Sequence, residues 1–159
     1  MNILALDLGT TTGWALSKRG APVQGGSESF SPKRSETSAQ RWLKFRQFLA
    51  DIGRDAGGEI HVVYYERVLH HTAVQAAHIY GGFEAMLQVW CEVNRVRMVC
   101  VSPMTIKKHW TGKGNVDKKA MMAEAVRRGM KPVDDNHADA LALLSLAQAQ
   151  EVPDEECAF

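Results

Sequence analysis

The stretch ALDLGTTTGWAL, residues 5 to 16, sets the strongest limit on how this chain can fold. It places one acid, Asp7, inside an apolar run of strand length, then breaks into Gly9, three threonines and Gly13 before a second apolar run. An isolated charge costs far more to bury than one hydrogen bond returns, so Asp7 requires a partner, and a cation is the natural one. Two chemistries open this way: an ATP-binding fold whose Gly/Thr turn holds phosphate, and a nuclease whose first acid holds metal. The rest of the chain has to discriminate between them.

At 159 residues the chain is of single-domain size and long enough to bury a sizeable core. Residues 1–150 are expected to form the domain and 151–159 an acidic tail. With 45% hydrophobic and 23% charged residues, no long apolar run and an acid interrupting the N-terminal apolar segment, neither a membrane span nor a signal peptide is expected. The expectation is a cytoplasmic protein with no membrane partner. Cys91, Cys100 and Cys157 are odd in number and lack metal-type spacing, which predicts reduced thiols. The net charge of +1 hides an uneven distribution: between Lys107 and Lys131 Lys and Arg exceed acids by six, whereas from Pro132 onward there are seven acids and no Lys or Arg. A basic segment beside an acidic one fits a polyanion-binding surface next to a cation-binding cleft.

Hydrophobic periodicity organises the chain. Residues 2 to 8 and 13 to 17 read as strands joined by a Gly9 to Thr12 turn, and GAPVQGGSESF leads into a third strand. From Glu36 to Ile52, Trp42, Phe45, Leu49 and Ile52 recur at steps of three and four, predicting a helix. IHVVYYE is a fourth strand that ends abruptly in Glu66. Thr72 to Val93 is a second long helix with a broad apolar stripe; VRMVCVS is a fifth strand; a short helix carries Ile106 to Trp110; further helices span about Val116 to Arg128 and start near Asp134 to Asn136. This is an α/β order around one mixed five-stranded sheet flanked by helices.

Glu66 repeats the oddity of Asp7, an acid at the end of an apolar strand. A third acid, Asp139, lies in NHADALALL, with Leu143 and Leu146 on the same helical face four and seven residues on, so it should point inward. Far apart in sequence, these three make joint sense if they converge on a divalent cation, because oxygen ligands suit Mg²⁺ or Mn²⁺ and their mutual repulsion needs a cation to offset it.

The segments LALDLGTTTGWAL, YYERV, VSPMTIKKHWTGKGNVDKKAMMAEAV and NHADALALL occur in an order and approximate spacing that resemble the RuvC family of Holliday-junction resolvases, within the RNase H-like superfamily. TGKGNVDKKAMM is the most specific part, resembling the family's TGxGxxxKxxV element, and the likeness spans nearly the whole chain; its compact length suggests a phage-type member. The resemblance implies an RNase H-like fold and an endonuclease acting in DNA recombination and repair with two Mg²⁺ (or Mn²⁺) ions per active site. Asp7 would bridge both ions, with Glu66 and Asp139 completing their shells. No small-molecule cofactor is implied.

The family places an acid or histidine three residues before the last Asp. Here that position is Asn136, with Asp135 one residue further back, and either lies on the helical face of Asp139; the fourth ligand stays open between them. His137, His70 and His71 are available bases. For DNA, the resemblance points to TGKGN, whose glycines would let the backbone approach a phosphate, ringed by Lys107, Lys108, Lys113, Lys118 and Lys119. Some relatives carry an aromatic wedge three positions after the catalytic Glu; here Leu69 stands there, as an apolar wedge or a core residue. Symmetric nicking of a four-way junction needs two active sites about a two-fold axis, hence a homodimer. The Thr72 to Val93 helix is the candidate interface, or else simply a central buried helix. The rivals are an actin-like ATPase or sugar kinase, an inactive scaffold binding branched nucleic acid, and a relative acting on flaps or RNA.

Overall fold

The computed structural model describes residues 1–152. Five strands, β1 (Ile3–Asp7), β2 (Thr11–Ser17), β3 (Gln24–Ser29), β4 (Val62–Glu66) and β5 (Arg97–Val101), form one sheet in the order β3-β2-β1-β4-β5. β1, β2 and β3 run antiparallel, and β1, β4 and β5 run parallel. The helices are α1 (Gln40–Asp55), α2 (Val74–Asn94), α3 (Pro103–Thr111), α4 (Lys118–Arg127) and α5 (Asp135–Glu151). The mixed α/β sheet expected from the sequence is therefore present. Of the expected acidic tail, Glu151 closes α5, and the segment from 153, with Cys157, lies outside the described residues.

Why β1 and β4 read as unbroken apolar runs follows from burial on both faces. Leu4, Leu6, Val63 and Tyr65 face a core shared with α1 and α2, while Ile3, Ala5, Val62 and Tyr64 face one shared with α3, α4 and α5. The two-residue period carries the second set on to Asp7 and Glu66, so both acids point to the α5 side. The parallel register pairs Leu6 with Tyr65, which sets Asp7 and Glu66 next to one another at the same edge.

α5 lies across β1 and β2 because the sheet is stripped of bulk there. Gly13 pairs with Asp7 in the ladder, and a Cβ on it would stand 1.8 Å from the Asn136 carbonyl oxygen. A Cβ on Gly25, in the neighbouring strand, would meet His137 Nε2 at 2.5 Å. Buried Ala5 and Ala15 on the sheet and Ala138 and Ala142 on the helix extend the close contact. Gly13 is thus a strand residue needed for close approach; the turn is shorter than expected, with β2 already under way at Thr11.

One helix starts later than its periodicity suggests. Glu36 accepts hydrogen bonds from the Lys33 amide at 2.8 Å and the Lys44 ammonium at 2.6 Å, which hold it in the preceding loop, and α1 begins at Gln40. α3 and α4 are locked together by Trp110, fully buried, whose indole donates to the Met121 carbonyl at 3.2 Å. No helix among the described residues is long and apolar enough to cross a membrane.

Gly13→Ala is expected to cost about 3 kcal/mol or more of stability, because the new methyl collides with helix backbone that has no rotamer to change. Urea unfolding of the variant beside the parent checks this; a cost below about 1 kcal/mol would mean that α5 rides freely on the sheet.

Candidate active site

The acids converge at the edge where β1 and β4 end. Asp7 and Glu66 close their strands side by side, and the first turns of α5 bring Asp139 in over them through the Gly13 contact. Asp135, the first residue of α5, joins the group, and Asn136 follows it with its carbonyl against Gly13. The helix start is well determined: the Asp134 carboxylate accepts from the His137 amide at 2.9 Å as N-cap and from the Ser27 hydroxyl at 2.5 Å, tying α5 to β3.

The electrostatics follow from burial and like charge. Burial pushes the Asp7 carboxyl well above the ordinary carboxylate range, Glu66 and Asp139 push it further, and Lys118 opposes them. Burial, then Asp139, raises Glu66 to about 7, against Lys107 and Lys118. Asp139 is raised to about 6, mainly by burial, with Lys118 opposing and Asp135 adding. Asp135 goes the other way: it is ion-paired with Lys118, which holds it below its usual value.

The donor chemistry suits a hard divalent cation, since three half-buried carboxylates and a fourth beside them offer only oxygen. The raised proton affinities of Asp7, Glu66 and Asp139 record burial first and the charges of neighbouring acids second. Among the described residues, however, no three Asp, Glu, His or Cys side chains stand grouped so as to hold a metal ion as they are.

The lysines expected to meet DNA divide into two groups. Lys108, Lys113 and Lys119 are exposed, on α3, its following loop and α4. Lys107 is half-buried and its charge acts on Glu66 and Asp139, while Lys118 is engaged at the acid cluster. That engagement went unseen in the sequence, where nothing distinguishes Lys118 from Lys119. Arg127 and Arg128 pair with Glu124 at the end of α4, and Arg128 also stacks 4.0 Å over the Trp110 ring, so Arg128 holds α4 to α3. The TGKGN glycines have local duties too: Gly112 ends α3 at φ +82°, and a Cβ on Gly114 would lie 2.7 Å from Met104 Cγ.

Leu69 is 66% exposed, which removes the core-residue reading for it. The chain leaving β4 is held by Tyr80, whose hydroxyl donates to the Glu66 carbonyl at 2.9 Å and accepts from the Val68 amide at 3.4 Å. His71 packs on the same ring. His137 is corrected from the list of available bases: it is buried, and its Nδ1 accepts from the Val133 amide at 3.1 Å. Thr12 is fully buried, its hydroxyl donating to the Gly9 carbonyl at 2.8 Å, so this Thr closes the turn on itself instead of offering a phosphate cradle.

Solved structures give this arrangement a context. Over 90% of both chains it superposes on a Thermus thermophilus RuvC in complex with Holliday junction substrate, with a TM-score of 0.74 and 19% identity. The fold is that of RuvC. The yeast mitochondrial Holliday junction resolvase matches at a TM-score of 0.64 and 14% identity over 90% of this chain and 75% of its own. The Fowlpox virus resolvase, solved with substrate Holliday junction DNA, matches at 0.57 and 13% over 96% of this chain and all of its own. No protein-family profile matches the sequence, and no curated protein sequence matches it. The RuvC-like fold thus persists here at identities too low for the sequence as a whole to register.

The raised acids make a signed prediction for stability. A carboxyl whose folded pKa exceeds its unfolded value stabilises the fold when protonated, and that contribution is lost as pH rises through the folded value. Glu66, raised from the ordinary 4.5 to about 7, and Asp139, raised to about 6, place the loss between about pH 4.5 and 7, with Asp7 acting in the same direction. Half-buried His109 and buried His137, both held below their usual values, act in the opposite direction, adding stability as pH rises toward about 6.5. With chelator present, the thermal midpoint is expected to fall as pH rises across the window, and Asp7→Asn to raise it by about 2–5 °C at the upper end. Thermal melts at stepped pH test both; a flat profile would mean the acids carry no mutual strain.

Proposed function

We propose that the chain is a metal-dependent, structure-selective DNA endonuclease that resolves four-way junctions by paired symmetric nicks. The observation that carries this reading is the convergence of Asp7, Glu66 and Asp139, half-buried and raised in proton affinity, beside a lysine-bearing face. The fold adds support, since structures with the same architecture have been solved with Holliday junctions bound. Against the ATPase rival stands the closed Thr12 turn.

In this reading Asp7, Glu66 and Asp139 hold Mg²⁺ or Mn²⁺, two ions per site, with Asp135 as the fourth acid. Asp135 is preferred to Asn136 because its charge already acts on Asp7 and Asp139. When bound, the cations would supply an activated water and stabilise the leaving 3′ oxygen. The protein's own part is positioning. The sheet edge fixes two carboxylates, α5 fixes the others, and Lys108, Lys113 and Lys119 seat flanking phosphates without reading sequence. Leu69, projecting past Glu66, is the apolar group available to wedge against bases at the junction centre.

Two symmetric cuts require two copies. The outer face of α2 exposes Val89 and Val93 beside an apolar groove of about 380 Å³ lined with Leu49, Met86 and Trp90, and this face is assigned to a homodimer contact. The inner face, with Tyr80, Phe83 and Leu87, belongs to the core, and in this reading the outer face is left for the partner.

Incubation with Mg²⁺ and labelled four-way, three-way, flap and linear duplexes tests the reading: the four-way junction should be cut by paired nicks. Asp7→Asn should reduce cleavage by about a thousandfold or more while junction binding persists, and Asp135→Asn should cost more than Asn136→Ala. Preferred cutting of flaps would transfer the assignment to the rival nuclease class, and full activity in Asp7→Asn would end the three-acid reading.

Replacing Lys113 and Lys119 together by Ala should weaken binding to all junction sequences alike and lower the salt slope by about one counterion per lost phosphate contact. A binding titration across salt concentrations decides it, an unchanged slope marking both as merely solvated.

A further inference from the structure

Lys118 stands where helix physics disfavours it. It is the first residue of α4, whose start is fixed by the Asp117 carboxylate accepting from the Ala120 amide at 2.9 Å. The partial positive charge of a helix N-terminus repels a cation and attracts an anion. The ammonium is held there by Asp135 across the gap to α5. Its charge also acts on Asp7, Glu66 and Asp139, so it opposes the repulsion of the whole cluster. Yet the side chain is 71% exposed, unlike Lys44 in its pair with Glu36, which is 31% exposed, so it can leave at small cost. The acids, meanwhile, are not grouped, among the described residues, so as to hold a metal ion as they stand.

We propose that Lys118 is a built-in competitor of the divalent cation: with neither metal nor DNA bound its ammonium neutralises the acid cluster through Asp135, and metal loading releases it to capture a DNA phosphate at the α4 N-terminus. This rests on the metal-site reading above. The exchange makes metal and DNA binding cooperative, because each relieves a cost that the other faces alone. Metal then binds the free protein weakly and the DNA-bound protein well, which keeps the hydrolytic centre empty until substrate arrives.

Calorimetric titration with Mn²⁺ in the absence of DNA tests this, using wild type, Lys118→Met, Lys118→Arg and Asp7→Asn. Lys118→Met is expected to bind Mn²⁺ about fivefold more tightly than wild type, and Lys118→Arg to match wild type. A merely structural lysine would leave affinity unchanged or lower it on removal, and either result for a folded Lys118→Met overturns the exchange; Lys118→Gln repeats the test should the Met variant fail to fold. Asp7→Asn separates the two levels of the argument. Its loss of Mn²⁺ binding upholds the metal site whatever Lys118 does, whereas wild-type affinity in Asp7→Asn, or no binding in any variant, overturns the metal reading and the exchange with it.

Discussion

The close approach of α5 to the sheet at Gly13 is the contact on which the rest of this molecule depends. With the Asn136 carbonyl occupying the place of a side chain on Gly13, the first turn of α5 sits directly above the ladder pair that includes Asp7. That single approach sets Asp139 and Asp135 among acids that two neighbouring strands have already aligned. A bulkier strand would lift the helix by the width of a methyl, and the carboxylates on either side would separate. The Asp134 cap, bonded to both α5 and Ser27 on β3, holds the helix from sliding along this contact.

The resulting corner is electrostatically unfinished. Stability alone would favour apolar or amide residues at its acidic positions, since buried like charges gain nothing from each other's company. The remainder of the molecule carries that cost through a core buried on both faces of the sheet, with aromatic packing of Phe30, Phe45 and Phe83 on the far side. Buried like charges on a well-packed scaffold fit the proposed role of a centre that receives a cation.

Positive charge around the site is graded by commitment. Arg127 and Arg128 are spent on Glu124 and Trp110, Lys107 and Lys118 act on the acids, and Lys108, Lys113 and Lys119 face solvent. A count of charges along the chain merges these three kinds. Only the last group is free to meet a polyanion without first giving up an internal partner, and Lys118 lies between the classes.

Asp7, Glu66 and Asp139 were legible in the sequence because a carboxylate inside an apolar period violates the rule that built the period, and such a violation marks the residue whatever the fold. The order of strands and helices was legible for the same reason, since local periodicity decides it. The start of α1 was not, because Glu36 is drawn into the loop by Lys33 and Lys44, partners that periodicity does not weigh. Gly25 looked like a turn residue and Gly13 like an ordinary strand residue until a helix was laid across them, and His137 like an available base until its partner came into place. The choice between Lys118 and Lys119 belongs wholly to the tertiary structure: adjacent on one helix, they point about 100° apart, and only the packing of α4 beside the start of α5 determines which of the two meets the acids.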